Sequence, residues 1–182
     1  MLFRSRQIPP ADYAQTVRLA RGVALTFRDA GHILGAASVT IDWMQARQRR
    51  RVLFSGDLGR PNRALLHDPA PPPAADFVVV ESTYGDRDHA TGDPETELGE
   101  AIREAVARGG SVVIPSFAVQ RTQEVLYYLR RLRATHRMPD VPVFLDSPMG
   151  IAATRLFARF PTLLDREVAA AFERRDRKST RL

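Results

Sequence analysis

The stretch Asp29-Ala30-Gly31-His32-Ile33-Leu34-Gly35-Ala36 says most about the fold of this chain, because it places a histidine in a glycine-bracketed turn after a strand-like run. One β-hairpin further along, Ser55-Gly56-Asp57-Leu58-Gly59 places a carboxylate between two glycines. Glycines let a backbone approach its neighbours closely, and an imidazole with a carboxylate suits a divalent metal such as zinc. We predict that His32 and Asp57 meet at one end of a sheet. A hydrogen-bonded structural histidine is the alternative for His32.

Alternating apolar residues around this stretch predict antiparallel β-structure in the first part of the chain. Residues 15–28 form two alternating runs around Arg21-Gly22, which predicts a β-hairpin. A second strand pair is expected over residues 39–43 and 52–54, joined by an arginine-rich, solvated hairpin tip from Met44 to Arg51. The continuous apolar run at residues 77–80 predicts a strand that is buried on both faces.

Strand-like and helical segments alternate in the second part of the chain. Asp93-Pro94-Glu95 has the features of a helix start, and Gly109-Gly110 those of a helix end. The apolar runs at residues 112–114 and 141–145 predict strands. Each run precedes a predicted helix, the first over residues 119–133 and the second after Ser147-Pro148. Alternating βα units imply a largely parallel sheet covered by helices.

Four predicted strands end in polar or acidic residues within a turn that contains glycine, serine or proline. Ligands of α/β sheets bind outside the carboxyl ends of the strands, so this repetition favours a site there. Helix capping would explain any single ending equally well. The four endings are Phe54-Ser55-Gly56-Asp57, Val80-Glu81-Ser82-Thr83, Ile114-Pro115-Ser116 and Leu145-Asp146-Ser147.

Composition excludes several classes of protein and site. The chain has no cysteine, so disulfides and thiolate metal sites are excluded. No apolar run approaches the roughly eighteen residues that span a bilayer, and we expect a cytoplasmic protein without a membrane partner. The formal charge of +6 favours a polyanionic partner only weakly, because part of it lies in the ends. Residues 1–5 and 176–182 resemble translated adapter DNA, and we expect them to be non-native.

Five ordered motifs resemble those of one enzyme family. They are FRDAGHILGAASV (27–39), LFSGDLGR (53–60), VVVESTYGDRDH (78–89), VIPSFAVQRTQE (113–124) and VFLDSPMG (143–150). In this order they are similar to the β-CASP branch of the metallo-β-lactamase fold, whose members are RNA-processing and DNA-processing nucleases. The resemblance implies an α/β fold with a partial metallo-β-lactamase-type αββα sandwich over residues 6–108. The first βα units of a β-CASP domain would follow over residues 109–175.

The resemblance also implies a site that holds two zinc ions. His32 matches the third metal motif of the family and would bind one zinc. Asp57 matches the fourth motif and would bridge both ions, which makes it a catalytic residue as well as a metal ligand. Glu81 matches the acidic residue of the first β-CASP motif and would be catalytic, assisting a histidine later in the chain. For Glu81 the alternative is a carboxylate that caps the turn at Ser82-Thr83.

Two further residues are candidates for binding an RNA phosphate. Ser116 precedes the helix predicted from residue 119, where its hydroxyl and free N–H groups would suit a phosphate. Simple capping by Ser116 is the alternative. Arg121 would pair with a phosphate, although an exposed helix arginine usually has no specific partner.

The family's HxHxDH signature, which supplies most zinc ligands, is absent from the 182 residues. Each zinc ion needs about four ligands, some of them water, so His32 and Asp57 cannot complete a dinuclear site. We therefore expect the middle of a longer zinc-dependent ribonuclease, inactive as the isolated chain. RNA is the expected partner, DNA is possible, and a homodimer or a processing complex is possible. The alternatives are a non-catalytic RNA-binding scaffold protein and a small-molecule hydrolase of the metallo-β-lactamase fold.

Overall fold

A computed structural model describes residues 10–88, 91–166 and 168–169, which form a mixed α/β structure. The chain divides into two units. The first comprises residues up to 61 and residues 68–83, and the second comprises residues 62–67 and those from 84 onward. The domain boundary at residue 108 stays a prediction, and the two expected non-native ends lie outside the described residues. The strands are β1 (Thr16–Ala20), β2 (Val23–Asp29), β3 (Ala37–Gln45), β4 (Gln48–Phe54) and β5 (Phe77–Val79).

The first unit is built on one sheet with the strand order β1-β2-β3-β4-β5. Strands β1 to β4 pair antiparallel in sequence order, and β5 pairs parallel with β4. The predicted first hairpin is confirmed, with Gly22 in its turn at φ +76°. Because β4 and β5 run in the same direction, Phe54 lies beside Val79 and both strands end at one edge of the sheet.

The two faces of this sheet differ in polarity. Along β3, Ser38, Thr40 and Asp42 alternate with Val39, Ile41 and Trp43. The three polar residues are buried and the three apolar ones are half-buried. Trp43 stacks on Phe77 of β5, with 6.2 Å between the ring centroids. The apolar face is thus the more exposed one in the first unit.

The predicted arginine-rich hairpin tip is wrong. Strand β3 continues to Gln45 and β4 already begins at Gln48, so the turn consists of Ala46 and Arg47, both at positive φ. Arg51 lies directly opposite Asp42, and Arg49 lies two pairs further along, opposite Met44. The carboxylate of Asp42 accepts hydrogen bonds from both guanidinium groups at 2.8–3.2 Å. A charge partner on the neighbouring strand therefore extends the hairpin beyond its apolar alternation.

The expectation of a strand buried on both faces at residues 77–80 is also wrong. Strand β5 forms, but its side chains are 53–60% exposed, and Val80 directly after it is 60% exposed. It is the last strand of the sheet, and within the described residues only β4 pairs with it.

The second unit contains the helices α1 (Pro94–Ala107), α2 (Arg121–Ala134) and α3 (Pro148–Phe157), and a 3₁₀ turn at Pro161–Leu163. All three predicted helices are confirmed. Asp93 caps α1 by accepting from the Thr96 N–H, and Ser147 caps α3 by accepting from the Gly150 N–H. Such caps satisfy N–H groups that have no partner within the helix.

The helices α1 and α2 pack through a small apolar core. Its buried members are Ile102, Leu129, Leu132 and Met138. An ion-pair cluster lies beside it, because Glu95, which is only 5% exposed, pairs with Arg131 at 2.9 Å and with Arg137 at 3.0 Å.

The strands predicted at residues 112–114 and 141–145 do not form. Residues 111–117 and 141–147 have no regular secondary structure. Val113 and Phe144 are 88% and 85% exposed, which is the exposure of apolar residues without a neighbouring strand. A strand needs a partner for its backbone hydrogen bonds, so local apolar sequence alone does not produce one.

In the part of the chain that the structure describes, no helix is both long enough and apolar enough to cross a bilayer.

Candidate functional site

The loop after β2 holds His32 in a turn that only small residues permit. The Asp29 side chain accepts a hydrogen bond from the Gly31 N–H at 2.8 Å. Gly31 and Gly35 have φ values of +63° and +87°, in the left-handed region that favours glycine. Ala30 is 1% exposed, and His32 follows it as a half-buried side chain.

The loop after β4 holds Asp57 in a similar way. Ser55 is 6% exposed at the strand end, Gly56 has φ +58°, and Asp57 is exposed. A Cβ atom added to Gly56 would lie 2.7 Å from the carbonyl oxygen of Ala37. The loop therefore runs against the start of β3 and requires glycine at this position.

These two loops touch through their backbones. The Gly59 N–H donates to the Ala30 carbonyl at 2.8 Å. A Cβ atom added to Gly59 would overlap the carbonyl oxygen of Gly31. His32 and Asp57 each lie two residues from this contact along the chain. The close approach predicted from the glycines is the geometry by which the structure brings the two candidate ligands to one edge of the sheet.

The carboxylate of Glu81 lies at the same edge. Its Oε1 accepts from the Leu58 N–H at 3.0 Å, and its Oε2 accepts from the Thr83 N–H at 3.2 Å. The Glu81 N–H donates to Ser55 Oγ at 3.0 Å. Hydrogen bonding by the Thr83 hydroxyl, and then by the Leu58 N–H, lowers the pKa of Glu81, and the charge of His32 acts in the same direction. Glu81 therefore caps its own turn and also binds the loop of Asp57, which sequence analysis missed.

Neutral imidazole and carboxylate oxygen are both ligands that zinc accepts. His32 and Asp57 thus have the right donor chemistry, but zinc takes about four ligands in its protein sites. Within the described ranges, no group of three or more His, Cys, Asp or Glu side chains is placed to hold a metal ion. The described residues fit a part of a zinc site and do not complete one.

The two candidate phosphate-binding residues lie in the second unit. Ser116 is exposed and does not cap α2, because Gln120 is the N-cap residue of that helix. Arg121 is 60% exposed and pairs with Glu124 at 3.2 Å. Arg63, which sequence analysis did not single out, pairs with the other oxygen of Glu124 at 2.9 Å. Arg121 is thus an accessible cation held by a buried carboxylate.

The first turn of α2 is buried and polar, which sequence analysis also missed. The Thr122 hydroxyl donates to the Phe117 carbonyl at 2.8 Å, and Gln123 Nε2 donates to the Ala118 carbonyl at 3.0 Å. These contacts fix the loop before the helix. The only sequence signal for them is the run of polar residues from 120 to 124, whose buried members are Gln120, Thr122, Gln123 and Glu124.

Comparison with known proteins gives one family match. Residues 122–181 match the family model described as the Beta-Casp domain. The match begins in α2 and contains α3.

Relatives of known name cover most of this chain. It is 39% identical over 164 residues to the ribonuclease TTHA0252 of Thermus thermophilus, covering 90% of this chain and 36% of that protein. It is 32% identical to the endoribonuclease YSH1 of Mycosarcoma maydis, covering 97% and 20%. It is 35% identical to the transcription termination factor FttA of Methanosarcina mazei, covering 87% and 25%. The chain spans about a third or less of the length of these relatives. The domain match and these relatives together show that this chain is similar to the β-CASP family.

Proposed function

We propose that this chain is part of a zinc-dependent hydrolase that cleaves RNA, and that it contributes His32 and Asp57 to the metal centre. One observation carries the proposal: the loops after β2 and β4 touch at Gly59 and Ala30, with an imidazole on one loop and a carboxylate on the other. The names of two relatives, a ribonuclease and an endoribonuclease, supply the reaction class.

The residues of this chain have distinct roles in the proposal. His32 would offer a neutral imidazole nitrogen, and Asp57 its carboxylate oxygens, as ligands for zinc. Bound zinc would supply a hydroxide at neutral pH and polarise a phosphodiester. The described residues hold about half of one ion's ligands, so we propose that the other donors come from elsewhere and that this chain alone does not cleave RNA.

The exposed apolar face of the sheet supports an αββα sandwich. Val39, Ile41 and Trp43 lie on one side of β3 and are only half-buried. A sheet with one apolar face is stable when a second layer covers that face. We propose that this sheet is one of the two central layers of a metallo-β-lactamase-type sandwich.

RNA is the proposed substrate, and DNA is the alternative substrate. We propose that Arg121 binds an RNA phosphate. Its guanidinium is accessible and suits phosphate geometry, and Glu124 fixes its direction. A homodimer or a processing complex is the proposed assembly.

Zinc titration of the isotope-labelled chain, followed by NMR, tests the metal site. We expect the signals of His32 and Asp57 to shift together, with an affinity weaker than micromolar, because two protein donors bind zinc weakly. His32→Ala and Asp57→Asn should each abolish the joint shift. His136→Ala, which changes an exposed histidine of the second unit, is the matched control and should leave it intact.

Incubation of the same chain with labelled single-stranded RNA tests its activity. We expect no cleavage with zinc present. Cleavage by the isolated chain at micromolar zinc would refute the proposal that its set of zinc ligands is incomplete. RNA binding without any zinc response at His32 and Asp57 would refute the hydrolase proposal and favour a non-catalytic RNA-binding member of the family.

A further inference from the structure

The carboxyl ends of β4 and β5 are connected beyond the last strand pair. The Ser55 N–H donates to the Val79 carbonyl at 2.9 Å, which continues the parallel ladder by one residue. The Glu81 N–H then donates to Ser55 Oγ. Beyond Ser55 and Glu81, the two segments are joined again where the Leu58 N–H donates to Glu81 Oε1.

We propose that Glu81 is a positioning residue that fixes the backbone on one side of Asp57, through the hydrogen bond between its carboxylate and the Leu58 N–H. This inference rests on the proposed function, because it concerns the loop that carries the proposed zinc ligand. Both oxygens of Glu81 accept from backbone N–H groups, which is the contact pattern of a residue that holds a loop in place.

Two backbone hydrogen bonds hold the loop of Asp57 on the side that follows this residue. Gly56, the residue before Asp57, lacks a side chain and has φ +58°. On the other side, Leu58 is held by Glu81 and Gly59 by the Ala30 carbonyl. The contact between Gly59 and Ala30 sets the distance between the two loops. The contact between Leu58 and Glu81 sets the direction of the peptide that leaves Asp57.

Amide hydrogen exchange tests the contact in the chain as it stands. In Glu81→Ala, exchange at the Leu58 amide should accelerate by at least about tenfold, because its acceptor is gone. The Ser55 amide, which is bonded to the Val79 carbonyl, should be affected much less. Glu81→Gln keeps one acceptor oxygen and should give an intermediate result. Glu100→Gln, an exposed carboxylate on α1, is the matched control and should change neither amide.

Zinc affinity tests the consequence of that contact. Residues that orient a metal ligand typically contribute about 10–100-fold in metal affinity, and we expect a loss in that range for Glu81→Ala. Trp43 fluorescence should show that the chain stays folded. If Glu81→Ala unfolds the chain, Glu81→Gln replaces it, with the same direction expected for the Leu58 amide and for zinc.

Two results overturn the inference. One is unchanged exchange at Leu58 in both Glu81 variants. The other is an unchanged zinc affinity in Glu81→Ala when the wild type binds zinc through His32 and Asp57. That result would leave the proposed function standing. If the wild type shows no zinc response, the proposed function fails, and exchange at the Leu58 amide still decides whether Glu81 fixes the loop.

Discussion

Replacing Asp42 with asparagine should destabilise the first unit, because one buried carboxylate pairs with two arginines. The Asp42 side chain is 10% exposed and accepts four hydrogen bonds, two from Arg49 and two from Arg51. Asparagine has nearly the same shape but no charge, and it offers one acceptor oxygen instead of two. Both guanidinium groups would then face each other without the anion between them.

The exposure of the two arginines sets the magnitude. The Arg49 side chain is 66% exposed, so its pair contributes about 0–1 kcal/mol. The Arg51 side chain is 27% exposed, so its bonds to a charged acceptor contribute about 1.5–3 kcal/mol. We expect Asp42→Asn to lower the free energy of unfolding by about 2–3 kcal/mol. Arg49→Gln should cost less than Arg51→Gln.

The effect should depend on pH in a defined direction. Hydrogen bonding by Arg51, opposed by burial and supported by Arg49, lowers the pKa of Asp42 below its ordinary value. A lowered carboxyl pKa stabilises the folded state at pH values above the unfolded pKa of about 3.9. This stabilisation is lost as the pH falls through the folded pKa. The difference between wild type and Asp42→Asn should therefore be full at neutral pH and shrink in strong acid.

Urea denaturation followed by Trp43 fluorescence measures this loss, since Trp43 is the only tryptophan of the chain and lies on β3 beside Asp42. Asp12→Asn, which changes an exposed carboxylate of the same unit, is the control and should stay within about 0.5 kcal/mol of wild type. A loss below about 0.5 kcal/mol for Asp42→Asn, or a larger loss for Arg49→Gln than for Arg51→Gln, would refute the reasoning.

Substitutions in the site loop, at a half-buried phenol and at a helix cap should each have a measurable effect. Gly59→Ala should cost about 1–3 kcal/mol in urea denaturation, because the new methyl group overlaps the Gly31 carbonyl; an unchanged midpoint would contradict the close approach. Burial raises the pKa of Tyr13 to about 12. In an ultraviolet titration, the difference in phenolate absorbance between wild type and Tyr13→Phe should therefore develop only above about pH 11. A difference that develops near pH 10 would argue against burial. Ser147→Ala should cost about 1 kcal/mol and increase amide exchange at Gly150, which would stay unchanged if the cap were unimportant.

Features that depend on local chemistry could be predicted from the sequence. The first hairpin followed from alternation around Arg21-Gly22, and α1 and α3 followed from their capping residues at Asp93 and Ser147. The close approach of the two site loops followed from their glycines. For the hairpin and the helix caps the physical cause lies within a few residues, and for the site loops each glycine marks a point of contact whose partner lies on the other loop.

Features that depend on distant partners could not be predicted in this way. Arg49 and Arg51 belong to a strand because Asp42 lies opposite them, whereas their sequence suggests a solvated loop. Val113 has the sequence of a strand residue but no strand beside it. The bond from Glu81 to Leu58 joins residues 23 positions apart, and no spacing in the sequence indicates it.

Arginine pairing in this chain also changes what its charge means. Among the described residues, Asp42, Glu95 and Glu124 each lie between two arginines, and each cluster leaves one positive charge over. These three clusters hold six arginines against three carboxylates, so a count of basic residues includes side chains that already brace the framework. Lysine has no planar fork with which to grip a carboxylate, and a change from arginine to lysine would keep the isoelectric point while weakening the framework. Counting basic residues thus overstates the attraction of this chain for nucleic acid.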